Sequence, residues 1–267
     1  MRTRFAPSPT GYLHIGHVVN AIYVWGMARA RGGEVLLRIE DHDRQRSKPE
    51  YEAALLDDLD WLGFAADIYP TDDFRRGPCR GRQSDRDESY HRALAPLIER
   101  QLVYGCDCTR RQLASATFSH TCRTRRLALS HGVGWRVQLG PASGDVVVRD
   151  RLGNWTYQWA VTVDDMAQQI THVIRGEDLR DSTPLQIALA HLLGRDTPPE
   201  FVHHPLIMKS ATQKVSKSDA DTGVRELRGS GWTAARVIGE AAALVGLRTA
   251  SSALDAADVP RLFEQHL

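Results

Sequence analysis

The run Arg4 Phe5 Ala6 Pro7 Ser8 Pro9 Thr10 Gly11 Tyr12 Leu13 His14 Ile15 Gly16 His17 constrains the fold of this chain more than any other stretch. Phe5 and Ala6 read as the end of a first strand, Pro7, Pro9 and Gly11 forbid regular structure, and Ile15, Val18, Val19 and Ile22 recur at helical spacing. The expected result is a strand, a tight turn and a helix. That order presents unpaired backbone N–H groups and the positive end of a helix dipole beyond the strand, which suits a phosphate chain. Gly16 leaves room for a flat ring or a ribose, and His14 and His17 can donate to phosphate oxygens. Taken alone, two histidines near a helix start read first as ordinary surface or core residues.

The next strand is Val35 to Ile39, a nearly continuous apolar run of the kind found in a parallel sheet covered on both faces. Glu40, Asp41 and Asp43 follow at its carboxyl end, where open α/β sheets bind ligands. The first helix is expected from about His14 to Arg31, stopped by Gly32 and Gly33. Ser47 Lys48 Pro49 Glu50 reads as a capping box opening a helix that buries Tyr51, Ala54, Leu55, Leu59 and Leu62 and turns Asp57, Asp58 and Asp60 to solvent. From Thr71 to Asp87 the chain reads as a mobile basic loop carrying Arg75, Arg76, Arg80, Arg82 and Arg86, either solvated or in contact with an RNA backbone.

A helix from Tyr90 to Gln101 leads to Cys106-Asp107-Cys108, with His120 and Cys122 further on. Three cysteines and a histidine fit a small tetrahedral zinc site by ligand type, and Cys106 and Cys108 are too close in sequence for an ordinary disulfide. Arg110, Arg111, Arg123, Arg125 and Arg126 make this knuckle a basic surface. Residues 133–150 alternate apolar and polar as in antiparallel strands. Tyr157 to Asp165 is taken to begin a second half of the parallel sheet, and Ile170 to Ile174 is a buried strand ending at Arg175 Gly176 Glu177 Asp178. Thr183 Pro184 Leu185 Gln186 reads as a second capping box, and Phe201 to Ile207 as a strand on which His203 and His204 face opposite ways. A polar helix and an amphipathic one from Thr233 to Leu247 finish the chain.

Composition bounds the rest. The 267 residues suit one large domain or two interlocked ones, and 34 Lys+Arg against 33 Asp+Glu leave a net charge of +1, so RNA contact has to come from local patches. No run of about 18 apolar residues and no signal-peptide pattern occur, so the expectation is a cytoplasmic protein without a membrane partner.

Far from the first signature stands Lys214 Val215 Ser216 Lys217 Ser218. The two segments together resemble the paired ATP-binding signatures of class I aminoacyl-tRNA synthetases. Arg-Phe-Ala-Pro-Ser-Pro-Thr-Gly, Arg38 Ile39 Glu40 Asp41 and Val173 Ile174 Arg175 Gly176 Glu177 Asp178 are similar to the glutamyl-tRNA synthetase branch. The resemblance, covering residues 3–220, implies an α/β fold: a Rossmann-like parallel-sheet nucleotide-binding domain with an inserted α+β subdomain and a short C-terminal helical segment. The expected boundaries are 1–79 for the first half of the sheet, 80–152 for the insertion, 153–220 for the second half with the lysine loop, and 221–267 for the helical segment.

The implied reaction joins the α-carboxylate of glutamate to the α-phosphorus of ATP, with Mg2+ bridging the phosphates and pyrophosphate leaving. Catalysis of this kind is positioning plus electrostatics, with His14, His17 and Lys217 as donors and Gly16 and Lys214 completing the ATP site. Arg4 and Arg175 are suited to the glutamate side-chain carboxylate, Tyr157 adds a hydroxyl, and Glu40 with Ser8 faces the α-ammonium group. Such a site rejects glutamine, whose amide leaves two buried arginines without charge-assisted bonds.

In the resembled family the cysteine knuckle uses a tyrosine or cysteine four residues before its last cysteine. Here that position is Phe118, so either His120 substitutes as the zinc ligand beside Cys106, Cys108 and Cys122, or the cysteines pack without metal. The synthetases of this branch carry an anticodon-binding region after the lysine loop, and the present sequence stops short of one. The resemblance therefore implies transfer of glutamate to the queuosine base of tRNA(Asp), with the anticodon stem-loop as the bound RNA. The alternatives are a truncated enzyme charging tRNA(Glu), a catalytically silent paralogue acting as an RNA-binding module, and an unrelated nucleotidyltransferase, against which Arg38 to Asp41 and the lysine signature argue.

Overall fold

The computed structural model describes residues 1–113, 121–140, 144–210, 213–214 and 223–264. In chain order its elements are β1 (Arg2–Phe5), α1 (Ile15–Ala30), β2 (Glu34–Leu37), α2 (Pro49–Leu62), α3 (Thr71–Arg75), α4 (Asp87–Glu99), β3 (Val103–Cys106), α5 (Arg110–Leu113) and α6 (Cys122–Arg125). Then come β4 (Gly134–Gln138), β5 (Asp145–Arg149), α7 (Tyr157–Ala167), β6 (His172–Gly176), α8 (Thr183–Leu192), β7 (Glu200–His204), β8 (Met208–Ser210), β9 (Gln213–Lys214), α9 (Val224–Gly229) and α10 (Ala234–Leu244). Short 3-10 turns cover Gln83–Arg86, Glu177–Ser182 and Ala256–Leu262. The chain divides into two compact units, one formed by Met1–Asp85, Gln169–Arg180 and Pro199–Leu267, the other by Arg86–Gln168 and Asp181–Pro198.

The first unit holds the parallel strands. β1 pairs with β2 in the register Arg4 to Leu36, and β6 pairs with β7 in the register Arg175 to His203. The amide of Thr171, just before β6, donates to the carbonyl of Arg2 at 2.9 Å, tying the two pairs together. Beyond Leu37 the β2 segment runs on beside another piece of chain, where Ile39 donates to Gly81 and accepts from Gln83. α1 is apolar on most of its circumference, as a helix surrounded by protein must be. It buries Ile15, Val18, Val19, Ile22, Val24 and Trp25 against Phe5, Val35 and Leu37, against Leu55, Leu56 and Leu59 of α2, and against Val237 and Ala241 of α10. Gly26 lets Phe263 approach the helix backbone: a Cβ there would lie 2.2 Å from the ring.

The second unit is an antiparallel sheet in the order β3, β4, β5 together with α4, α7 and α8. Trp159, Leu94, Leu97, Val137, Val148 and Leu189 form its core. The segment Tyr157–Ala167 is helical and belongs to this unit, as does α8, although the sequence assigns both to the second half of the parallel sheet. Buried across the unit, the Asp164 carboxylate receives Arg86 Nε at 2.5 Å and the Tyr90 hydroxyl at 2.9 Å.

Several local expectations are corrected. Neither capping box forms: Lys48 and Ser182 are the N-caps of α2 and α8, with no side-chain cap bond. The residue before a proline is pushed to extended backbone, so Lys48 before Pro49 has to lie outside the helix, and Ser47 is one residue too early. At α8 the 3-10 turn Glu177–Ser182 runs straight into the helix, leaving Ser182 helical rather than extended.

The segment read as a mobile basic loop carries α3 and a 3-10 turn, and Arg75, Arg82 and Arg86 in it are held by carboxylates. Arg75 binds Asp57, Asp60 and Asp72, and Arg82 binds Glu52 at 2.6 Å and Asp85 at 2.8 Å. Asp57 and Asp60 are therefore paired, and Asp58 is not solvated at all, being 4% exposed. Burial pushes the Asp58 carboxyl up to about 6 against the attraction of Arg228 and Arg225.

Candidate functional site

β1 and β2 deliver the first signature and the Arg38 to Asp41 run to the same end of their parallel pair. Between Ala6 and Leu13 the chain follows the prolines: Ser8 accepts from Thr10 N at 2.8 Å, Pro9 accepts from Lys48 N, and Pro7 accepts from Glu40 N at 3.0 Å. These bonds staple the turn to the residues after β2.

At the start of α1 the two histidines cap the helix reciprocally. His14 is the N-cap, with extended backbone, and its Nδ1 accepts from Gly16 N at 3.1 Å; the Nδ1 of His17 accepts from His14 N at 3.1 Å. With both Nδ1 atoms accepting, the proton of each neutral ring sits on Nε2, so each ring presents a donor on the side away from its cap. The rings lie 4.0 Å apart. The room that Gly16 leaves is taken by His14 itself, since a Cβ at Gly16 would lie 2.9 Å from Cε1 of that imidazole.

Of the second signature, Lys214 alone lies among the described residues. β8 pairs with β9, which ends at Lys214, and the chain reappears at Gly223, which bridges to His14, while Val224 N donates to Leu13 O at 2.9 Å. Arg225 then lies over the ring of Tyr12, 5.2 Å from its centre. Lys217 falls outside the described residues, as does His120.

Arg4 and Arg175 are both buried to 4% exposure, and Arg4 Nη1 donates to the carbonyl of Ile174, next in the chain to Arg175. Arg175 Nε points to His203 Nε2 at 3.4 Å, and its guanidinium lies over Phe201. Glu40 is buried and paired with Arg38 at 3.2 Å, Arg38 being fully buried. Asp41 accepts from Arg44 at 2.6 Å and from Ser84 N at 2.8 Å. Ser8 sits in the turn beside them. Tyr157 begins α7, in the other unit.

Sequence reasoning missed Asn20 and the role of His204. Asn20 Nδ2 meets His204 Nε2 at 3.0 Å and the same Ile174 carbonyl at 3.4 Å, and burial pulls the His204 pKa down, keeping the ring neutral. The signal available was an amide one turn beyond His17 on an otherwise apolar helix.

In the second unit the sulphur atoms of Cys106, Cys108 and Cys122 lie within 4.8 Å of one another, with Cys108 and Cys122 at 3.2 Å. Burial and the neighbouring sulphurs push the Cys108 thiol up to about 12. Three convergent thiols fit three of the four positions of a tetrahedral zinc set, which would replace their protons. The basic rim is partly neutralised: Arg125 binds Asp107 and Arg123 binds Asp145.

A parallel-stranded α/β unit with a histidine-capped helix directly after its first strand has the form of the catalytic unit of a class I synthetase. The family model "tRNA synthetases class I (E and Q), catalytic domain" matches residues 1–126 and 121–252, and the chain belongs to that family. It is 38% identical to a glutamyl-Q tRNA(Asp) synthetase of Rhodobacter capsulatus, over 86% of this chain and 96% of the relative. It is also 38% identical to a glutamate–tRNA ligase of Thermosynechococcus vestitus, over 88% of this chain and 55% of that protein. Among solved structures it is similar to a glutamate tRNA ligase of Elizabethkingia meningosepticum, with a TM-score of 0.72 and 28% identity over 91% of this chain and 60% of the other. No helix among the described residues is long and apolar enough to cross a membrane.

Proposed function

We propose that this protein activates glutamate with ATP to glutamyl adenylate and transfers the glutamyl group to the queuosine base in the anticodon stem-loop of tRNA(Asp), in the cytoplasm. The observation that carries the reading is the mutual capping of His14 and His17 with Gly223 bridged beside them. That geometry leaves Nε2 as the donor of each neutral ring at the start of α1, where Gly223 bridges to His14.

In the first step a glutamate α-carboxylate oxygen bonds to the α-phosphorus of ATP and the bond to pyrophosphate breaks. Charge grows on the phosphate oxygens, and His14, His17, Lys214 and Lys217 stabilise it next to Gly16. Mg2+, when bound, neutralises the pyrophosphate. Arg4 and Arg175 hold the side-chain carboxylate, and Tyr157 is the hydroxyl donor that the family pattern implies. Glu40, fixed by Arg38, faces the α-ammonium group with Ser8. Cys106, Cys108 and Cys122 would hold a structural zinc, with His120 the fourth ligand that the sequence offers. The underlying architecture is a Rossmann-like unit built from Met1–Asp85, Gln169–Arg180 and Pro199–Leu267, with Arg86–Gln168 and Asp181–Pro198 as the α+β insertion.

The acceptor reading is supported by the relatives named for it: the chain is 35–39% identical to four glutamyl-Q tRNA(Asp) synthetases over 86–92% of its length. The test is pyrophosphate exchange without tRNA, followed by transfer to tRNA(Asp) with and without queuosine and to tRNA(Glu). Exchange with glutamate and not glutamine, and transfer only to the queuosine-bearing RNA, are expected. Equal exchange with glutamine, or charging of tRNA(Glu), overturns the reading.

A further inference from the structure

One cavity of the first unit has no role in the chemistry above. It encloses about 580 Å³, within the range of about 300–1,000 Å³ typical of small-molecule sites. It opens between the first turns of α2, α3 and the 82–85 segment, and its inner wall holds Pro9 and Asp41. These two residues directly follow Ser8 and Glu40, so the cavity starts one residue beyond the glutamate cradle on both of its chain segments.

Its walls have a definite chemistry. Leu56, Ala53 and Phe74 supply apolar surface. Every arginine in the lining is already held by carboxylate: Arg44 by Asp41, Arg75 by Asp57, Asp60 and Asp72, and Arg82 by Glu52 and Asp85. The remaining cation of the lining, Lys48, pairs with Glu50 at 3.6 Å, so these four cations are held by seven carboxylates, and a phosphate would meet no unmatched positive charge. A cationic group gains instead. The hydroxyl of Ser47, in the same wall, is buried and has no hydrogen-bond partner, a condition that costs stability until something bonds to it.

We infer that this cavity is the acceptor-base subsite, taking a ring that carries hydroxyls and an ammonium group, with Ser47 as a hydrogen-bond partner. The inference rests on the function proposed above. The queuosine base has this chemistry, a deazaguanine joined through a secondary amine, cationic at neutral pH, to a cyclopentene diol. Seated here, its hydroxylated end lies beside the place where Ser8 and Glu40 hold the glutamyl group, while the RNA backbone stays outside.

The experiment measures binding of free queuine to the whole protein by calorimetry, and separately the KM for a queuosine-bearing tRNA(Asp) stem-loop, in wild type, Ser47→Ala and Ala53→Trp. Losing one hydrogen bond in Ser47→Ala should weaken queuine binding and raise the stem-loop KM roughly fivefold. Filling the cavity in Ala53→Trp should raise both by roughly thirtyfold or more. Glutamate-dependent pyrophosphate exchange should match wild type in both variants, which also shows that they fold. Queuine that fails to bind, or a stem-loop KM that ignores both substitutions, overturns the subsite. Queuine binding that is lost in Ala53→Trp, in a protein that exchanges pyrophosphate but transfers to no queuosine RNA, supports the subsite and overturns the proposed reaction instead.

Discussion

The signature turn of the first unit and the cysteine cluster of the second both gather reactive side chains, and they do so by opposite means. His14, Gly16 and His17 are neighbours in the chain, and a helix start is enough to set their rings and amides in place. Cys106 and Cys108 meet Cys122 only because β3 and α6 fold against each other. The first site is set by its own helix cap, and distant residues such as Glu40, Lys48 and Val224 only staple the turn in place. The second is a packing arrangement whose three thiols, crowded together, gain most from a metal that holds them. Their failures should therefore differ: damage to the turn removes chemistry and spares the fold, whereas damage to the cluster removes stability and spares the chemistry.

The largest effect expected is on Gly16→Ala. The added methyl has to drive the His14 ring off its cap, and pyrophosphate exchange should fall by about a hundredfold, the scale of a lost transition-state donor, with little change in Tm. A loss of Tm with retained exchange would break the contrast. Next, Cys122→Ser, or treatment with a zinc chelator, should lower the Tm by roughly 5 °C while exchange stays within about twofold of wild type. Abolished exchange there would mean that the cluster belongs to the chemistry.

Asp58 sharpens the same comparison, because it is buried in the first unit facing Arg225, Glu226 and Arg228 from α9 and Asp57 from its own helix. Its folded pKa of about 6 lies above the ordinary 3.8, so the folded state binds the extra proton. Stability contributed by that proton is complete below the ordinary value and is lost as pH rises through the folded one. Asp58→Asn should therefore stabilise the protein at pH 8 by about 1–3 kcal/mol, with the gain gone near pH 4. Thermal melts across that range decide it, and a constant difference would refute the assignment. The smallest effect belongs to Arg76, exposed and loosely paired with Asp72 and Asp73. Arg76→Ala should change stability by no more than about 0.5 kcal/mol in urea unfolding.

Much of the turn was legible in the sequence. Prolines, a glycine and helical spacing after His14 locate strand, turn and helix within a residue or two, because these preferences act over only a few neighbours. The capping boxes at Ser47 and Thr183 misled for a related reason: the pattern was present, yet Pro49 moved one helix start by a residue and a 3-10 turn erased the other. The cysteine pair at 106 and 108 was visible, but that Cys122 joins it depends on the fold. Arg75, Arg82 and Arg86 read as free because their partners Glu52, Asp57, Asp60 and Asp164 come from elsewhere in the chain.

By itself the sequence determined the backbone path through the first signature and the helix cap that follows, since local sterics and side-chain-to-backbone bonds leave few alternatives over so short a distance. Tertiary structure alone decided which charges are matched, that Asp58 is buried, that Arg4 reaches the carbonyl of Ile174, and that an unpartnered Ser47 hydroxyl faces a cavity. Those outcomes depend on which surfaces meet, and burial and Coulomb energy act between residues that the linear order keeps far apart.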